Sequence, residues 1–455
     1  MKKVILLYNN APDVRMKIRE RFYSLIASGS IPIVVAESHF LTSELMPNIE
    51  IKYCLEDYIN FHNVEKDNNI LELNDSLKHL NIWESYYSDY ERDIHFGKKV
   101  DRTIIERKLI LLYNFYFDLF SAELPEVIIY ENISNSFAFA AFNVSKFFNI
   151  KYVGITTARI PGRIYLHQSI FDDSYSYLNH LNDAIKKTYK INPDERLYLD
   201  EYLKNFKFHV PDYMKSNNLG LETSNFRYLK INKLKYLKSA LFYDLSRIGR
   251  EENLQTNDIF KSSIKTFFKN LSRKFKVKIL KSFYEAPSSE DKFYLYPLHF
   301  HPESSTSVIA RSFANELETI QNISFSLPFG SILYVKDHPS AAGFMSMSFY
   351  KKIKALPNVK LISHHISSKE LIRNSLAIIT LTSTVGFEAL LLNKKVFLFG
   401  KTFYESHPNC EQIMDISNLF KIFSNLKVNF YNPFDTLYAY YKLTYPKNTK
   451  IENLI

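Results

Sequence analysis

The segment Thr380-Leu-Thr-Ser-Thr-Val-Gly-Phe-Glu-Ala-Leu390 runs from a buried strand, through small hydroxyl residues, into a helix. Between Phe293 and Gly400, other short apolar runs alternate with segments of helical period in the same way. The runs predicted as strands are Phe293–Leu298, Ile332–Val335, Val359–Ile362, Leu376–Leu381 and Lys395–Phe399. The segments predicted as helices are Ser305–Ile320, Ser346–Leu356, Ser368–Asn374 and Val385–Leu392. Strand–helix alternation of this length indicates parallel strands with right-handed crossovers, and therefore a doubly wound α/β sheet.

Polar residues cluster just past the ends of three predicted strands. They are His299, His301 and Glu303 after the first strand, Lys336 and His338 after the second, and Thr382, Ser383 and Thr384 after the fourth. Open α/β sheets bind their ligands outside the carboxyl ends of their strands. The clustering therefore predicts a binding site at one edge of this sheet.

A second α/β unit precedes this one in the chain. Its predicted strands are Val4–Tyr8, Ile31–Val35, Glu126–Tyr130 and Tyr152–Ile155, and its predicted helices are Arg15–Ala27, Arg102–Phe120 and Phe137–Phe148. We predict Rossmann-like domains over residues 1–165 and 286–425, with a helical, basic segment over 166–285 between them. Past the second domain we predict helices over Ile413–Phe423 and Phe434–Lys442, and we expect the tail, residues 426–455, to cross back to the first domain.

Length and composition indicate a soluble globular protein of two or three domains, since 46% of the 455 residues are hydrophobic and 23% are charged. Its two cysteines, Cys54 and Cys410, lack the spacing of a metal site or a disulfide framework, which favours a reducing cytoplasm. The apolar run Val4–Tyr8 is too short for a signal peptide, and no run approaches the roughly 18 apolar residues of a membrane span. We therefore expect a cytoplasmic protein that at most rests on a membrane.

The formal net charge of +10 is concentrated in residues 230–281. The basic residues there include Lys230, Lys233, Lys235, Lys238, Arg247, Arg250, Lys261, Lys265, Lys269, Arg273, Lys274, Lys276, Lys278 and Lys281. Such a patch suits lipid headgroups, a polyanionic glycan or nucleic acid, and it is equally typical of a solvated helix face. Because the chain carries no zinc-finger or RNA-binding signature, we expect no nucleic-acid partner.

The residues Thr382, Ser383 and Thr384 predict a phosphate site, because the start of a helix presents free backbone N–H groups to an anion. Simple capping of the helix by Ser383 or Thr384 is the alternative. Gly386 permits close approach of the backbone. Glu388, predicted to lie in the first turn, either complements the helix dipole or accepts hydrogen bonds from a ribose.

Lys336 and His338 are two residues apart on a chain leaving a strand, so their side chains point the same way and can share one anion. Pro339 fixes the backbone after His338 and disfavours a helix there. A purely structural histidine is the alternative.

Acid–base chemistry is predicted for the carboxylates. His299, His301 and Glu303 alternate along one segment and are expected to face the same cleft, with Glu303 as a nucleophile or base at an anomeric carbon, or as a helix cap. The spacing of the three matches no standard zinc motif. In the first unit, Glu131 is a candidate general base.

Two arginines in the first unit, Arg159 and Arg163, are candidates for binding a carboxylate or a phosphate. Surface ion pairs are the alternative for both of them.

Three motifs occur in order along the second unit. They are Tyr296-Pro-Leu-His-Phe-His-Pro-Glu-Ser-Ser-Thr306, Val335-Lys-Asp-His-Pro339, and Thr382-Ser-Thr-Val-Gly-Phe-Glu-Ala-Leu-Leu391 followed by Val396-Phe-Leu-Phe-Gly400. Together they resemble bacterial capsule and surface polysaccharide biosynthesis proteins, a group that includes the β-Kdo transferases. A weaker likeness covers Glu126–Arg163.

The resemblance implies a GT-B glycosyltransferase with two Rossmann-like domains facing a cleft, no essential metal, no cofactor, and the nucleotide held by the C-terminal domain. It implies that His338, Ser383 and Thr384 hold the phosphate of a CMP-sugar and that Glu388 approaches the ribose. Glu303 lies where the Kdo transferases carry a catalytic Asp after Pro-Leu-Gln. This chain departs from them by having His299 in place of the Gln and Glu303 in place of the Asp.

The expected function is therefore transfer of a sugar, preferably a CMP-activated acidic sugar such as Kdo, to a lipid-linked glycan. We expect the basic segment to contact anionic lipid on the inner face of the cytoplasmic membrane. The alternatives are a CDP-polyol phosphotransferase of the teichoic-acid type and a non-catalytic glycan-binding scaffold of the same fold.

Overall fold

A computed structural model of the chain describes residues 1–9, 12–40, 49–64, 71–95, 101–209, 231–246 and 259–455. The predicted basic residues Lys230, Arg247 and Arg250 lie outside the described residues, as does the side chain of Lys233.

The first sheet has the strand order β3-β2-β1-β4-β5-β6-β13. Its strands are β1 (Lys3–Tyr8), β2 (Ile31–Ala36), β3 (Tyr53–Cys54), β4 (Val127–Tyr130), β5 (Lys151–Thr157), β6 (Arg163–His167) and β13 (Thr444–Pro446). The first five of these are mutually parallel, whereas β6 and β13 add antiparallel pairings at one edge. The central strands β1 and β4 are almost wholly apolar and buried, as expected for parallel strands covered on both faces.

The second sheet has the order β9-β8-β7-β10-β11-β12 and is parallel throughout. Its strands are β7 (Phe293–Pro297), β8 (Ile332–Lys336), β9 (Val359–Ile362), β10 (Ala377–Thr380), β11 (Lys395–Leu398) and β12 (Cys410–Gln412). Numbered within this unit, the order is 3-2-1-4-5-6, which is the Rossmann order. The predicted α/β class with two Rossmann-like units is confirmed.

Helices cover the faces and edges of both sheets. In the first unit and the segment after it they are α1 (Pro12–Ala27), α2 (Leu55–Val64), α3 (Ile82–His95), α4 (Arg102–Glu123), α5 (Ser136–Phe147), α6 (Ser174–Ile185), α7 (Pro193–Lys204), α8 (Ile231–Ser246) and α9 (Ile259–Leu280). In the second unit and the tail they are α10 (Glu316–Phe325), α11 (Met347–Lys354), α12 (Ser368–Asn374), α13 (Thr384–Leu391), α14 (Leu419–Ser424) and α15 (Pro433–Lys442).

Two predicted helices are wrong in extent. The predicted helix Ser305–Ile320 is a π-helical turn over Ser305–Ile309 and a 3₁₀ turn over Arg311–Phe313, and α10 starts only at Glu316. Glu316 is held under β7, where its carboxylate accepts hydrogen bonds from the Tyr296 hydroxyl and the His299 amide.

The predicted helix Ile413–Phe423 is shortened to α14. The Asp415 carboxylate accepts a hydrogen bond from the Ser417 amide at 2.9 Å, and this local bond closes a separate 3₁₀ turn before α14.

The tail packs onto the first sheet, where β13 pairs with β6. The buried Arg163 side chain fixes this arrangement, because its Nε donates to Thr444 Oγ1 at 2.6 Å and its guanidinium lies 3.7 Å from the centre of the Tyr441 ring. Arg163 is therefore engaged by the tail, which differs from its predicted role in binding a carboxylate or phosphate.

Replacing Arg163 by methionine removes the charged donor while keeping much of the side-chain length. We expect a loss of about 2–4 kcal/mol of stability, since each hydrogen bond from a charged group contributes about 1.5–3 kcal/mol, and earlier proteolytic cleavage of the tail. Thermal unfolding and limited proteolysis measure both effects. The control Arg102→Met removes an exposed guanidinium from α4, where its partner is Glu106 of the same helix, and should change neither, whereas equal behaviour of the two variants would contradict this role.

Candidate functional site

The second sheet changes direction between β7 and β10, and His299 lies at this switch point. Its Nδ1 is 2.9 Å from Glu316 Oε1 and its Nε2 is 3.3 Å from Thr380 Oγ1, so both ring nitrogens are occupied inside the domain. The chain bends over residues 301–303, and the predicted alternation therefore breaks down. His299 thus positions the strand ends and does not face the cleft as predicted.

The hydroxyl residues after β10 form the N-terminus of α13. Ser383 Oγ accepts a hydrogen bond from the Val385 amide at 3.2 Å, so Ser383 is the N-cap that the capping interpretation requires. Thr382 Oγ1 is buried without a hydrogen-bond partner among the described residues.

Gly386 is required by packing against a protein side chain. A Cβ there would overlap the ring of Tyr404, whose hydroxyl donates to the Ser383 carbonyl at 2.6 Å. The close approach predicted for Gly386 is therefore to Tyr404.

Lys336 ends β8 as a buried cation, with 3% of its surface exposed. Its Nζ is 3.4 Å from the carbonyl oxygens of Asp337 and His364, and no carboxylate of the described residues lies within salt-bridge distance. Burial lowers the pKa of Lys336 to about 8. The protein itself neutralises the charge of Lys336 only in part, so an anion bound here would be stabilised by attraction to that charge.

His338 lies just past Lys336 and is oriented by the backbone. Its Nδ1 accepts a hydrogen bond from the Ser340 amide at 3.1 Å, so the neutral ring carries its proton on Nε2. Burial, aided by the charges of His299, Lys336 and Arg273, lowers the pKa of His338 to about 4. Neutral His338 can therefore donate one hydrogen bond. Pro339 is exposed within the turn that the Ala341 amide closes onto the His338 carbonyl.

Two residues near Lys336 and His338 were not predicted as site residues. Arg273 of α9 is buried and donates from Nε to the Ala342 carbonyl at 2.7 Å. His364 follows β9 with its Nδ1 buried and without a partner among the described residues, and burial lowers its pKa to about 4. The end-of-strand rule would have found His364, but nothing in a lysine-rich helix distinguishes Arg273.

Glu388 lies one turn into α13, and not in the first turn as predicted, because the helix starts at Thr384. Its Oε1 is 3.7 Å from Lys369 Nζ, and burial raises its pKa. Glu388 therefore faces the same cluster as Lys336, whose charge acts on it.

The first domain reaches this cluster through Arg159. Its Nη1 donates to Thr384 Oγ1 at 3.1 Å, and its amide donates to the Tyr440 hydroxyl at 2.9 Å. An arginine at the positively polarised N-terminus of a helix is unfavourable unless an anion is nearby. Part of that charge is offset by the buried Asp172 carboxylate, whose pKa is held down by His167 and Arg159 despite burial.

Each candidate carboxylate is next in sequence to a residue of a hydrogen bond between the two domains. Asn132 Nδ2 donates to Ser304 Oγ at 2.7 Å, which brings the residue after Glu131 against the residue after Glu303. Glu303 is exposed and Glu131 is half-buried.

His301 also belongs to this contact between the domains. Its Nδ1 lies 2.8 Å from Thr306 Oγ1 and its Nε2 lies 3.8 Å from Glu91 Oε2 of α3. Burial lowers the pKa of His301.

A cavity of about 380 Å³ lies between the domains beside the carboxyl end of β11. Gly400 in its wall packs against the Thr382 side chain. The wall also contains the ion pair between Arg311 and Glu84, at 2.7 Å, and the buried Ser307, whose Oγ has no partner among the described residues. The cavity lies beside the end of β11, whereas Lys336 is the last residue of β8 and His338 follows it. Both therefore lie at the same edge of the sheet but beside different strands.

A second group of polar side chains lies at the edge of the first sheet, where the ligand atoms of His39, Cys54 and Asp57 lie within 4.8 Å of one another. The sequence spacing gave no sign of this group. Burial raises the pKa of Cys54 to about 12, which disfavours the thiolate that a metal would need. His39 Nε2 and Asp57 Oδ1 lie 2.8 Å apart, so the group is interpreted as a histidine–carboxylate hydrogen bond beside a buried thiol.

Residues 261–409 match the model of the capsule polysaccharide biosynthesis protein family. The match covers about a third of the chain. The predicted family is thereby confirmed over the α9-to-β11 region that contains Lys336, His338 and α13. No curated protein matches the chain.

Solved structures of low similarity include two KpsC enzymes of Thermosulfurimonas dismutans. The β-Kdo 2,4 transferase is 14% identical with a TM-score of 0.34, over 70% of this chain and 80% of that one. The β-Kdo 2,7 transferase is 13% identical with a TM-score of 0.33, over 79% and 87%. UDP-GlcNAc 2-epimerase of Methanocaldococcus jannaschii, in complex with UDP-GlcNAc and UDP, is 14% identical with a TM-score of 0.31, over 97% and 98%. At these scores the likeness identifies no donor, acceptor or reaction.

Sulfate is a suitable probe of anion binding through Lys336 in this family-matched region, because the charge of sulfate does not change near neutral pH. Since the pKa of Lys336 is about 8, the protonated fraction, and with it the sulfate affinity, should fall about tenfold between pH 7 and pH 9. Calorimetric titration at the two pH values measures this ratio. Lys336→Met should bind weakly at both, and the control Lys352→Met, on the exposed side of α11, should keep the tenfold ratio. A pH dependence that survives in Lys336→Met would contradict the assignment.

Proposed function

We propose that the chain is a metal-independent glycosyltransferase of capsule or other surface polysaccharide synthesis, using a nucleotide-sugar donor and a lipid-linked glycan acceptor. One observation carries the proposal: buried Lys336, the neutral His338 ring, the N-terminus of α13 and Arg159 of the first domain all lie along the carboxyl edge of one Rossmann sheet. Such a convergence suits a phosphate group lying in a cleft between two domains.

In the proposed donor complex the phosphate lies between Lys336, His338 and the start of α13. Charge from Lys336 and Arg159 would stabilise the departing nucleotide phosphate, a task that a divalent metal performs in other transferases. Glu388 would accept hydrogen bonds from the ribose. The preference for a CMP-activated acidic sugar such as Kdo rests on the resemblance of the three sequence motifs to the capsule transferases.

The chemical step would use the carboxylates at the domain contact. Glu131 accepts the proton of the acceptor hydroxyl. At the same time the hydroxyl oxygen of the acceptor bonds to the anomeric carbon, and the bond from that carbon to the phosphate oxygen breaks. Glu303 stabilises positive charge on the anomeric carbon, or first forms a glycosyl ester that the acceptor then displaces. The hydrogen bond from Asn132 to Ser304 supports a shared site for the two.

The acceptor side would lie at the inner face of the cytoplasmic membrane, where lipid-linked glycans are held. No helix among the described residues is long and apolar enough to cross a membrane. The basic segment before β7 supplies the surface for peripheral contact.

Binding of the donor nucleotide is the first test. Calorimetry without divalent metal should show CMP binding more tightly than CDP, UDP or GDP, and His338→Ala should weaken CMP at least tenfold through the lost hydrogen bond. His79→Ala, which removes an exposed histidine far along the chain, should leave the affinity unchanged. Selective UDP or GDP binding would discard the CMP-sugar donor, and binding of no nucleotide would favour the scaffold alternative.

Turnover tests the carboxylates separately from binding. Glu131→Gln and Glu303→Gln should keep CMP affinity but lower CMP release from CMP-Kdo, measured with bacterial lipid extract as acceptor, by at least about a hundredfold. Glu290→Gln, an exposed glutamate outside the cleft, is the matched control. A product joined by a phosphodiester would establish the phosphotransferase alternative, and full activity in both glutamate variants would refute the proposed step.

A further inference from the structure

Helices α8 and α9 present apolar side chains to solvent. On α9, Ile264, Phe268, Phe275 and Ile279 are 36%, 62%, 62% and 52% exposed. At 100° per residue these four positions fall within about 60° of the helix circumference, so they form a continuous stripe. Helix α8 packs against α9 and shows the same feature, and its exposed apolar residues are Leu234, Leu241, Phe242 and Leu245.

Lysines border the α9 stripe on both sides. Lys261 and Lys265 lie along one border and Lys274 and Lys278 along the other, and the helix sequence contains no Asp or Glu. The acidic residue of α8, Asp244, is turned inward. Its carboxylate accepts hydrogen bonds from the amides of Ile259 and Phe260, at 3.0 and 2.8 Å, and so caps α9. The outward surface is therefore apolar along its centre and basic along its edges.

The opposite side of α9 is anchored to the second domain. Arg273 lies about 150° around the helix from the centre of the stripe and donates to the Ala342 carbonyl. Lys276 lies about 90° from that centre, and its Nζ donates to the Met345 carbonyl at 3.2 Å. Both acceptors belong to the loop that follows His338. The helix thus holds the loop beside the proposed phosphate site with one face and leaves its apolar stripe outward.

We propose that α8 and α9 form a membrane-docking surface, with the stripe buried at the level of the acyl chains and the lysines among anionic headgroups. A bilayer fits both features, because interfacial helices combine a narrow apolar face with flanking Lys and attach more strongly to anionic lipid. Nucleic acid would use the charge but would leave the aliphatic part of the stripe exposed to water. The choice of the inner membrane rests on the proposed function. The new part of the inference is the set of residues that enter the bilayer.

The test uses the full chain and vesicles of phosphatidylcholine, alone or with 30% phosphatidylglycerol. We expect co-sedimentation with the anionic vesicles, and at least a tenfold loss of binding in Phe268→Ser/Phe275→Ser, which keeps every lysine. Lys261→Gln/Lys265→Gln/Lys278→Gln should abolish the preference for anionic vesicles. Phe329→Ser/Phe430→Ser removes two phenylalanines that are 106% and 81% exposed elsewhere and should bind as the parent does.

Insertion depth supplies an independent readout, because the chain has one tryptophan. In a Trp83→Phe background, the emission of Phe268→Trp should shift to the blue on anionic vesicles and be quenched by brominated acyl chains.

Three results would each overturn the proposal: the parent chain fails to bind anionic vesicles, the Phe268→Ser/Phe275→Ser variant binds them equally well, or the emission of the Phe268→Trp variant does not shift. Stripe-independent binding to RNA or to heparin, with no vesicle binding, would do the same and would assign the charge to another polyanion. CMP affinity measured without lipid separates the two hypotheses: lost vesicle binding with intact CMP binding contradicts the docking surface alone.

Discussion

The buried carboxylate of Glu316 holds the switch point of the second sheet together. It accepts hydrogen bonds from the Tyr296 hydroxyl at 3.0 Å, from the His299 amide at 3.1 Å and from the His299 ring at 2.9 Å. The other nitrogen of that ring reaches Thr380, whose hydroxyl accepts from the Ser383 amide at 3.1 Å. A single buried carboxylate therefore fixes the end of β7, the end of β10 and the start of α13, and such networks are rigid when every member is satisfied.

Positive charge accumulates on this rigid frame from both domains. The cations are Lys336 of the second sheet, Arg273 of α9 and Arg159 of the loop after β5, and the neutral His338 ring adds a hydrogen-bond donor. Burial lowers the pKa of Lys336 and of His338, which shows that charging these groups in the free protein is costly. A bound anion would remove part of that cost.

The parallel strands were predictable because they are short apolar runs buried on both faces, as β7 and β9 show by matching their predicted bounds to within a residue. The short edge strands β3, β12 and β13 were missed, since two or three residues carry no periodicity. The π-helical turn at Ser305–Ile309 was predicted as part of one long helix, because the chain between it and α10 carries no glycine or proline to mark the break.

The site residues likewise divide into those that the local sequence could predict and those that it could not. Those at strand ends, such as Lys336 and His338, were found because topology places them at one edge. The structural roles of His299 and Arg163 were missed, because their partners Glu316 and Thr444 come from elements whose position only the tertiary fold sets. Arg273 was seen as one of many basic residues, and its inward direction depends on how α9 packs.

The central claim, that the nucleotide phosphate binds at the switch point of the second sheet, is tested most directly by a crystal structure of the chain with CMP. The phosphate should lie within hydrogen-bond distance of Lys336 Nζ, His338 Nε2 and the first amides of α13. Density for CMP in the cavity beside Phe313 and Phe399, or at the carboxyl edge of the first sheet, would contradict it.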